Sequence, residues 1–548
     1  MLPAAVYGQR DSVLFDELSE SMVSAVRAQD NAPFAVAKLQ RADLQDFSTS
    51  GRELPALLSR TPGILAWSDN GLGTGTSYMR IRGSGDSRIN VTIDGVPLNS
   101  PEDQCVFWAN MNSYSAILGS VQIQRGVGSS TNGDGAFGGT VSLSTKAPAL
   151  KPEVTVSSSY GSYNTFNMGG SFSTGLIRNH LVLEGAYHET STDGYMHGTA
   201  GRSGSYYGGI AWTGDDYIIR YRNIGNFERT GQAWNGAVTG NDDASLMDEG
   251  ILSYADMCAH GLGRFNPLYE RLVFDGDSWS FPKDANGDYK TERYTLKDGS
   301  YWPQTTDNFW QNHNILSFSH KANERLDWAA ALHYTYGYGY YEEFRPQNKL
   351  KKFGLVDPVY SKADFVRRKG LDQNTLGFIG SLKYKDDLWN LTGGLSLLYF
   401  GGNHFGSLTY LSENLATDIL AGGPYKYYDS DAVKGEWSGY VKAVRHIAEG
   451  LDAFADLQYR RIDYKTSGIN DKFYKQDDGT YANQSLEIEK HYNFFNPKAG
   501  VSYTRGSFKS YASVALAHRE PERNNFTENG SYPAPEAERV LDYEAGWQ

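Results

Sequence analysis

The sequence predicts an all-β transmembrane barrel of about fourteen strands, filled by an N-terminal mixed α/β domain. Three observations carry this. After Pro148 the chain runs through segments such as "LVLEGAYHE", "WAAALHYTYGY" and "LTGGLSLLYF", in which Gly, Ser or polar residues alternate with Val, Leu, Tyr or Trp. Segments of about ten residues with this alternation suit tilted membrane strands, one face toward lipid and the other toward the lumen. The linkers also alternate in size. "KYKDDLWN", "SHKANERLDW" and "YTRGSFKSY" hold tight polar turns, whereas residues 230–306 and 409–430 are long, which suits short turns on one side of a membrane and long loops on the other. Finally, residues 36–148 follow a different rhythm of short strands separated by Gly and Asp.

In chain order, residues 1–8 resemble the end of a secretory signal, without its positive and long apolar regions. Residues 9–35 form a polar extension containing "ESMVSAVRA" at 20–28, an apolar stretch expected to pair as an extended strand. In 36–148, "GRELPALLSRTPGI" reads as a short helix stopped by Pro62-Gly63, and "YMRIRG", "INVTIDG", "VQIQRG" and "TVSLST" read as strands. Residues 149–548 form the barrel, through a last strand in "RVLDYEAGWQ". An unclosed barrel would expose unpaired backbone groups to lipid, so the expectation is that a C-terminal segment or a second chain completes it. A soluble sandwich or propeller also repeats strands; the alternating loop lengths and the preceding domain favour the barrel.

Composition excludes several classes. No stretch of 18 apolar residues occurs, which rules out membrane-spanning helices. The net charge is -13 and no basic block could track a nucleic-acid backbone, so nucleic acid is not an expected partner. No nucleophile, base and acid converge, so no enzyme is expected. Cys105 and Cys258 lack metal-ligand spacing. They are either two free thiols or, if both segments meet on one side of the barrel, a disulfide.

Two motifs in order, "GSGDSRINVTIDGVPLN" at 83–99 and "VQIQRGVGSSTNGDGAFGGTVSLST" at 121–145, resemble the TonB-dependent outer-membrane receptors, especially the iron-complex receptors of Bacteroidetes. The resemblance spans nearly the whole chain. It implies a 22-stranded barrel, of which about eight strands would be missing here, occluded by a plug and set in the outer membrane with the N-terminus periplasmic. It also implies an energy-coupling segment, for which Glu20, Ser21, Met22, Val23, Ser24, Ala25 and Val26 are the candidates. That segment's partner would be TonB of the inner-membrane TonB-ExbB-ExbD complex. Outer-membrane lipid surrounds such a barrel, and a surface lipoprotein is a further candidate partner.

Arg80, Arg82 and Arg125 alternate with apolar residues on the plug strands. A buried guanidinium needs several acceptors, and in the resembling family plug–barrel ion pairs supply them; ordinary structural pairing competes with a releasable lock. Gly83, Gly126, Gly133, Gly135, Gly138 and Gly139 are expected to allow tight turns and close plug-to-wall approach. They do not form a phosphate loop, since no Lys-Ser/Thr pair follows.

The plug apex is expected in "SDNGLGTGTSY" at 68–78 and "NSPEDQCVFWANM" at 99–111. There Asn70, Tyr78, Phe107, Trp108 and Asn110 are ligand-binding candidates, with aromatic area for affinity and amides for orientation; packing between plug and wall is the competing role. From the barrel, Tyr338, Tyr340, Tyr341 and Arg345, then His404 and Phe405, then His518, Arg519, Arg523 and Asn525 fall at strand ends leading to long loops. The arginines suit the carboxylates of an anionic iron chelate, whereas any single Tyr serves equally as an interfacial girdle residue.

No resident cofactor or metal is expected. "DANGDYKTE" at 284–292 only loosely resembles a calcium loop, its Gly and Glu falling too early, and His180, His188 and His197 are scattered. The functional expectation is active uptake of a scarce ligand, foremost a ferric siderophore or other iron chelate. Haem, cobalamin, an oligosaccharide, or a passive structural or adhesive barrel stand as alternatives. Haem would call for two His converging from plug and loop.

Overall fold

The computed structural model describes residues 21–29, 31–130, 136–237, 239–240, 244–276, 281–477, 481–529 and 533–547. Residues 1–20, including the signal-like start and Glu20, and Gly133 and Gly135 lie outside them.

The plug comprises helix α1 (21–26), β1 (Ala35–Leu39), α2 (Arg41–Ser48), α3 (Leu54–Leu58), β2 (Ile64–Ser68), β3 (Ser77–Ile81), β4 (Ile89–Ile93), β5 (Val96–Pro97), α4 (Tyr114–Ile117), β6 (Leu118–Arg125) and β7 (Gly139–Thr145). Its main sheet runs β1-β6-β7-β4-β5, with β4 and β7 parallel, and β2 pairs with β3. All four strands and the helix read from the sequence are present. The two central strands β4 and β7 are buried throughout, as strands covered on both faces should be. Leu57, Leu58, Ile93, Val121, Val141 and Leu143 pack in one apolar cluster that continues onto wall residues Ile224, Ile315, Ala329 and Ile379. At roughly 1.5–3 kcal/mol per fully buried aliphatic side chain, this shared cluster anchors plug to wall. Gly139 leaves no room for a side chain, since a Cβ there would lie 2.7 Å from the Gln124 carbonyl oxygen. Gly126, at φ +86°, brings the plug against the wall, where a Cβ would lie 3.0 Å from Asp542 Oδ2.

The wall begins with β8 (Glu153–Gly161), β9 (Thr165–Ser173), β10 (Leu181–Thr192), β11 (Gly201–Thr213) and β12 (Tyr217–Gly231). A long loop follows, carrying α5 (Ala244–Asp248), α6 (Tyr254–Ala259), β13 (Glu270–Leu272) and β14 (Thr291–Arg293). The wall resumes as β15 (Thr306–Asn323), β16 (Leu326–Lys349), β17 (Lys362–Lys385), β18 (Trp389–Leu411), β19 (Tyr425–Ala448), β20 (Leu451–Lys475), β21 (Tyr481–Arg505) and β22 (Phe508–Arg519). Helix α7 (Arg523–Thr527) and β23 (Glu538–Trp547) complete it. These are fourteen antiparallel strands in sequence order, with β8 and β23 at the two edges.

The wall is inside out relative to a water-soluble protein. On β20, Asp456 and Arg460 are fully buried while Leu457 is 49 % exposed; strands between lipid and a filled lumen require this arrangement. Short turns at 213–217, 323–326, 385–389, 448–451 and 505–508 share one end, and Trp212, Trp328, Trp389 and Trp547 stand beside turns or strand termini of that end, as an interfacial aromatic belt would. The long loops share the other end. Strands β16 to β21 have 23 to 25 residues, about twice the length needed to cross a bilayer, so their upper halves rise beyond it.

Residues 21–26 are helical, not the expected strand. The edge of β6 is taken by β1, and the segment packs as a helix rather than adding to the sheet edges at β1 or β5. Met22, Val23, Ala25 and Val26 are instead buried in the lumen. Lys442 Nζ donates to the Ala25 carbonyl (2.9 Å), a group the helix C-terminus leaves open, and Lys383 Nζ donates to the Ser21 carbonyl (2.9 Å).

Candidate ligand-binding site

The apex loop between β5 and α4 is held by a nest of wall side chains centred on Glu102, which is 3 % exposed. Its Oε2 pairs with His404 Nε2 of β18 (2.7 Å). Its Oε1 accepts from Tyr464 of β20 (2.6 Å) and lies 3.3 Å from Arg523 Nη1 of α7. Burial alone would raise the Glu102 carboxyl, but His404, Arg523 and Tyr464 hold it below the usual range. Beside it, Lys434 donates to the Pro101 carbonyl (2.6 Å) and pairs with Glu520 (2.8 Å), while Arg460 bridges Glu436 and Glu520.

Next to this nest lies a cavity of about 330 Å³ between residues 97–111 of the plug and strands β12 and β15 to β18 of the wall. Phe107, Asn110, Tyr340, Tyr341, His404 and Arg523 line it, so plug and barrel candidates do converge. Phe107 is half exposed there. A second recess of about 400 Å³ contains Tyr78, stacked on Trp67 at 5.4 Å.

Other candidates go elsewhere. Trp108 is buried in the plug core. Asn70 is turned inward, accepting from Ser68 (3.1 Å) and the Leu72 amide (2.9 Å). Tyr338 stacks on Phe405 at 6.2 Å on the outer face; since His404 points inward to Glu102, its neighbour Phe405 points outward. Arg345 pairs with Glu343 (2.8 Å). His518 stacks on Phe494 and bonds Asn496 (2.9 Å). Arg519 pairs with Glu522 (2.6 Å), and Asn525 caps α7 by accepting from the Glu522 amide (2.8 Å). The arginines expected to meet an anionic chelate are therefore committed to carboxylates of the protein itself.

Of Arg80, Arg82 and Arg125, only Arg82 forms an ion pair with the wall among the described residues, to Glu544 (2.7 Å). Arg80 is exposed and lies over Trp67, and Arg125 donates to the Pro62 carbonyl (2.9 Å); both make these contacts within the plug. The stronger locks were missed: Arg88 with Glu538, and the buried pair of Asp94 with Arg222, in which the plug supplies the acid.

Cys105 and Cys258 are free thiols, so the disulfide alternative is set aside: Cys105 lines the cavity and Cys258 is exposed on α6 of the outer loop. Asp284 binds the amides of Asn286 and Asp288 in its own turn, and no cluster of three metal-binding side chains gathers among the described residues. His180 stacks on Trp212, His188 packs over Gly169, and His197 meets Glu270; they share no site.

An antiparallel membrane sheet around an α/β plug, with a cavity shared between them, defines a plugged outer-membrane barrel. Residues 28–140 match the TonB-dependent Receptor Plug Domain, so the N-terminal part of the chain is similar to the plug of the TonB-dependent receptors. Similar solved structures include the ferric-catecholate import receptor Fiu of E. coli K12 in its closed form (TM-score 0.66, 13% identity, 94% of this chain and 71% of that one). The ferripyoverdine receptor of Pseudomonas aeruginosa is similar at TM-score 0.64, 14% identity, 96% of this chain and 62% of that one. The ferric citrate transporter FecA is similar at TM-score 0.62, 15% identity, 94% of this chain and 68% of that one. This chain thus spans 62–71% of the length of these three. No curated protein matches it.

Proposed function

We propose that this protein captures a scarce ligand at the plug apex and takes it up actively across the outer membrane, drawing work from TonB of the TonB-ExbB-ExbD complex through residues 20–28. It performs no chemical conversion. The carrying observation is the short path, along the chain and then across one packing contact, from cavity to coupling segment. Pro97 lines the cavity, and two residues earlier Gly95 packs on Met22 of α1, where a Cβ would lie 3.1 Å from Met22 Cγ. A ligand that shifts the apex loop acts through β5 on the helix below.

An iron chelate is the favoured cargo. Fiu, the ferripyoverdine receptor and FecA are described by their iron complexes, and a cavity lined by aromatic and polar side chains suits a compact chelate. Haem is disfavoured, because residues 36–148 contain no histidine to meet one from a loop. Deleting residues 20–28 is expected to abolish accumulation of iron-55 chelate by energised cells while surface binding persists; undiminished accumulation would refute the proposal.

A further inference from the structure

We infer that the ligand presents a cationic group, an ammonium or guanidinium, to the β12–β15 side of this cavity. The inference rests on reading the cavity as the capture site.

The cations that line the cavity are engaged: Lys369 with Asp471 (2.7 Å), and His404 and Arg523 with Glu102. Several lining carboxylates are not. Glu228 of β12, itself 3 % exposed, accepts from the Thr230 hydroxyl (3.0 Å). Asp307 lines the same side, and Asp103 accepts from Ser100 (3.0 Å). None of the three forms an ion pair among the described residues. Gln373, 7 % exposed, lines the cavity with its Oε1 lacking any donor. Buried acceptors without donors are costly, and a ligand bringing N–H donors with positive charge satisfies the amide and the carboxylates together. An anionic chelate would bring further acceptors to a side already lined by acceptors.

The second recess carries an independent sign of the same preference. Trp67, Tyr78, Tyr195, Trp234 and Tyr254 surround Asp69, and among the described residues no Lys, Arg or His lines it. Aromatic faces beside a carboxylate attract organic cations, and Arg80 and Arg264 already lie over Trp67 and Tyr195 at 5.8 and 5.7 Å. The two spaces adjoin where Trp234 meets Tyr341 edge-on at 5.3 Å, so a ligand with its cationic arm toward the aromatic recess fits both.

The test is equilibrium dialysis of labelled agmatine, which carries both cationic groups, and of labelled citrate, against the intact protein in outer-membrane vesicles at low salt. Agmatine is expected to be retained saturably and citrate not. Glu228→Gln and Asp307→Asn are each expected to weaken agmatine retention about tenfold. Trp234→Ala is expected to weaken it with every carboxylate in place, and heat-modifiable gel migration checks that the variants fold. Absent agmatine retention, retention unchanged in both carboxylate variants, or saturable citrate binding in the cavity would overturn the inference. The assay needs neither iron nor TonB, so its failure leaves the uptake proposal standing, and failure of the deletion test leaves this one standing.

Discussion

The two sides of the plug apex differ in how their charges are settled. Toward β18 to β20 and α7, Glu102, Lys434, Arg460 and Glu520 are all paired within a few ångströms. Toward β12 and β15, Glu53 of the plug faces Glu228 and neither has a cation partner among the described residues. The contrast exists within one strand: β12 offers Arg222 to Asp94 low in the lumen and leaves Glu228 unpaired above. Paired charge fixes a plug in place, whereas buried carboxyls without a cation partner leave acceptors open to a ligand's donors.

The largest effect should come from breaking a paired region. Asp94→Asn strands Arg222, 3 % exposed, and is expected to cost about 3–5 kcal/mol, read as a lower urea midpoint for plug unfolding. The unpaired side should respond differently. Burial raises the Glu53 carboxyl from its ordinary value to about 8, against hydrogen bonds from Asn112 and the Gly75 backbone. A raised folded-state pKa means stability falls as pH rises from the ordinary value through about 8. Glu53→Gln should therefore match the parent near pH 4 and exceed it above pH 8 by on the order of 3–5 kcal/mol; a constant difference across pH would contradict the unpaired assignment. The smallest effect is expected at the rim. Arg82 is 40 % exposed in its pair with Glu544, so Arg82→Ala should shift the midpoint by about 0–1 kcal/mol, and less in high salt.

The wall was legible because alternation is local: a lipid face and a lumen face are written into successive residues, and β23 could be read from "RVLDYEAGWQ" alone. Parity could also have separated His404 from Phe405, since adjacent strand residues cannot both face the lumen. The site was legible only on one half. His404 and Arg523 stood out as polar residues at strand ends, but their partner Glu102 lies 302 and 421 positions away, and no local pattern reports such a pairing. Arg80 resembled a wall contact in sequence because strand alternation does not say which plug edge meets the wall. Residues 21–26 carry too few apolar positions to tell helix from strand; lysines on β17 and β19 supply the partners of this helix.

The most direct test of the lock-and-receptor contrast is the urea unfolding midpoint of two isosteric variants at pH 8. Glu102→Gln should lower it, because His404 and Arg523 lose their counter-charge, and Glu228→Gln should raise it, because a buried carboxylate facing Asp307 is neutralised. If both variants lower the midpoint, the β12–β15 side is an ordinary structural contact and the distinction fails.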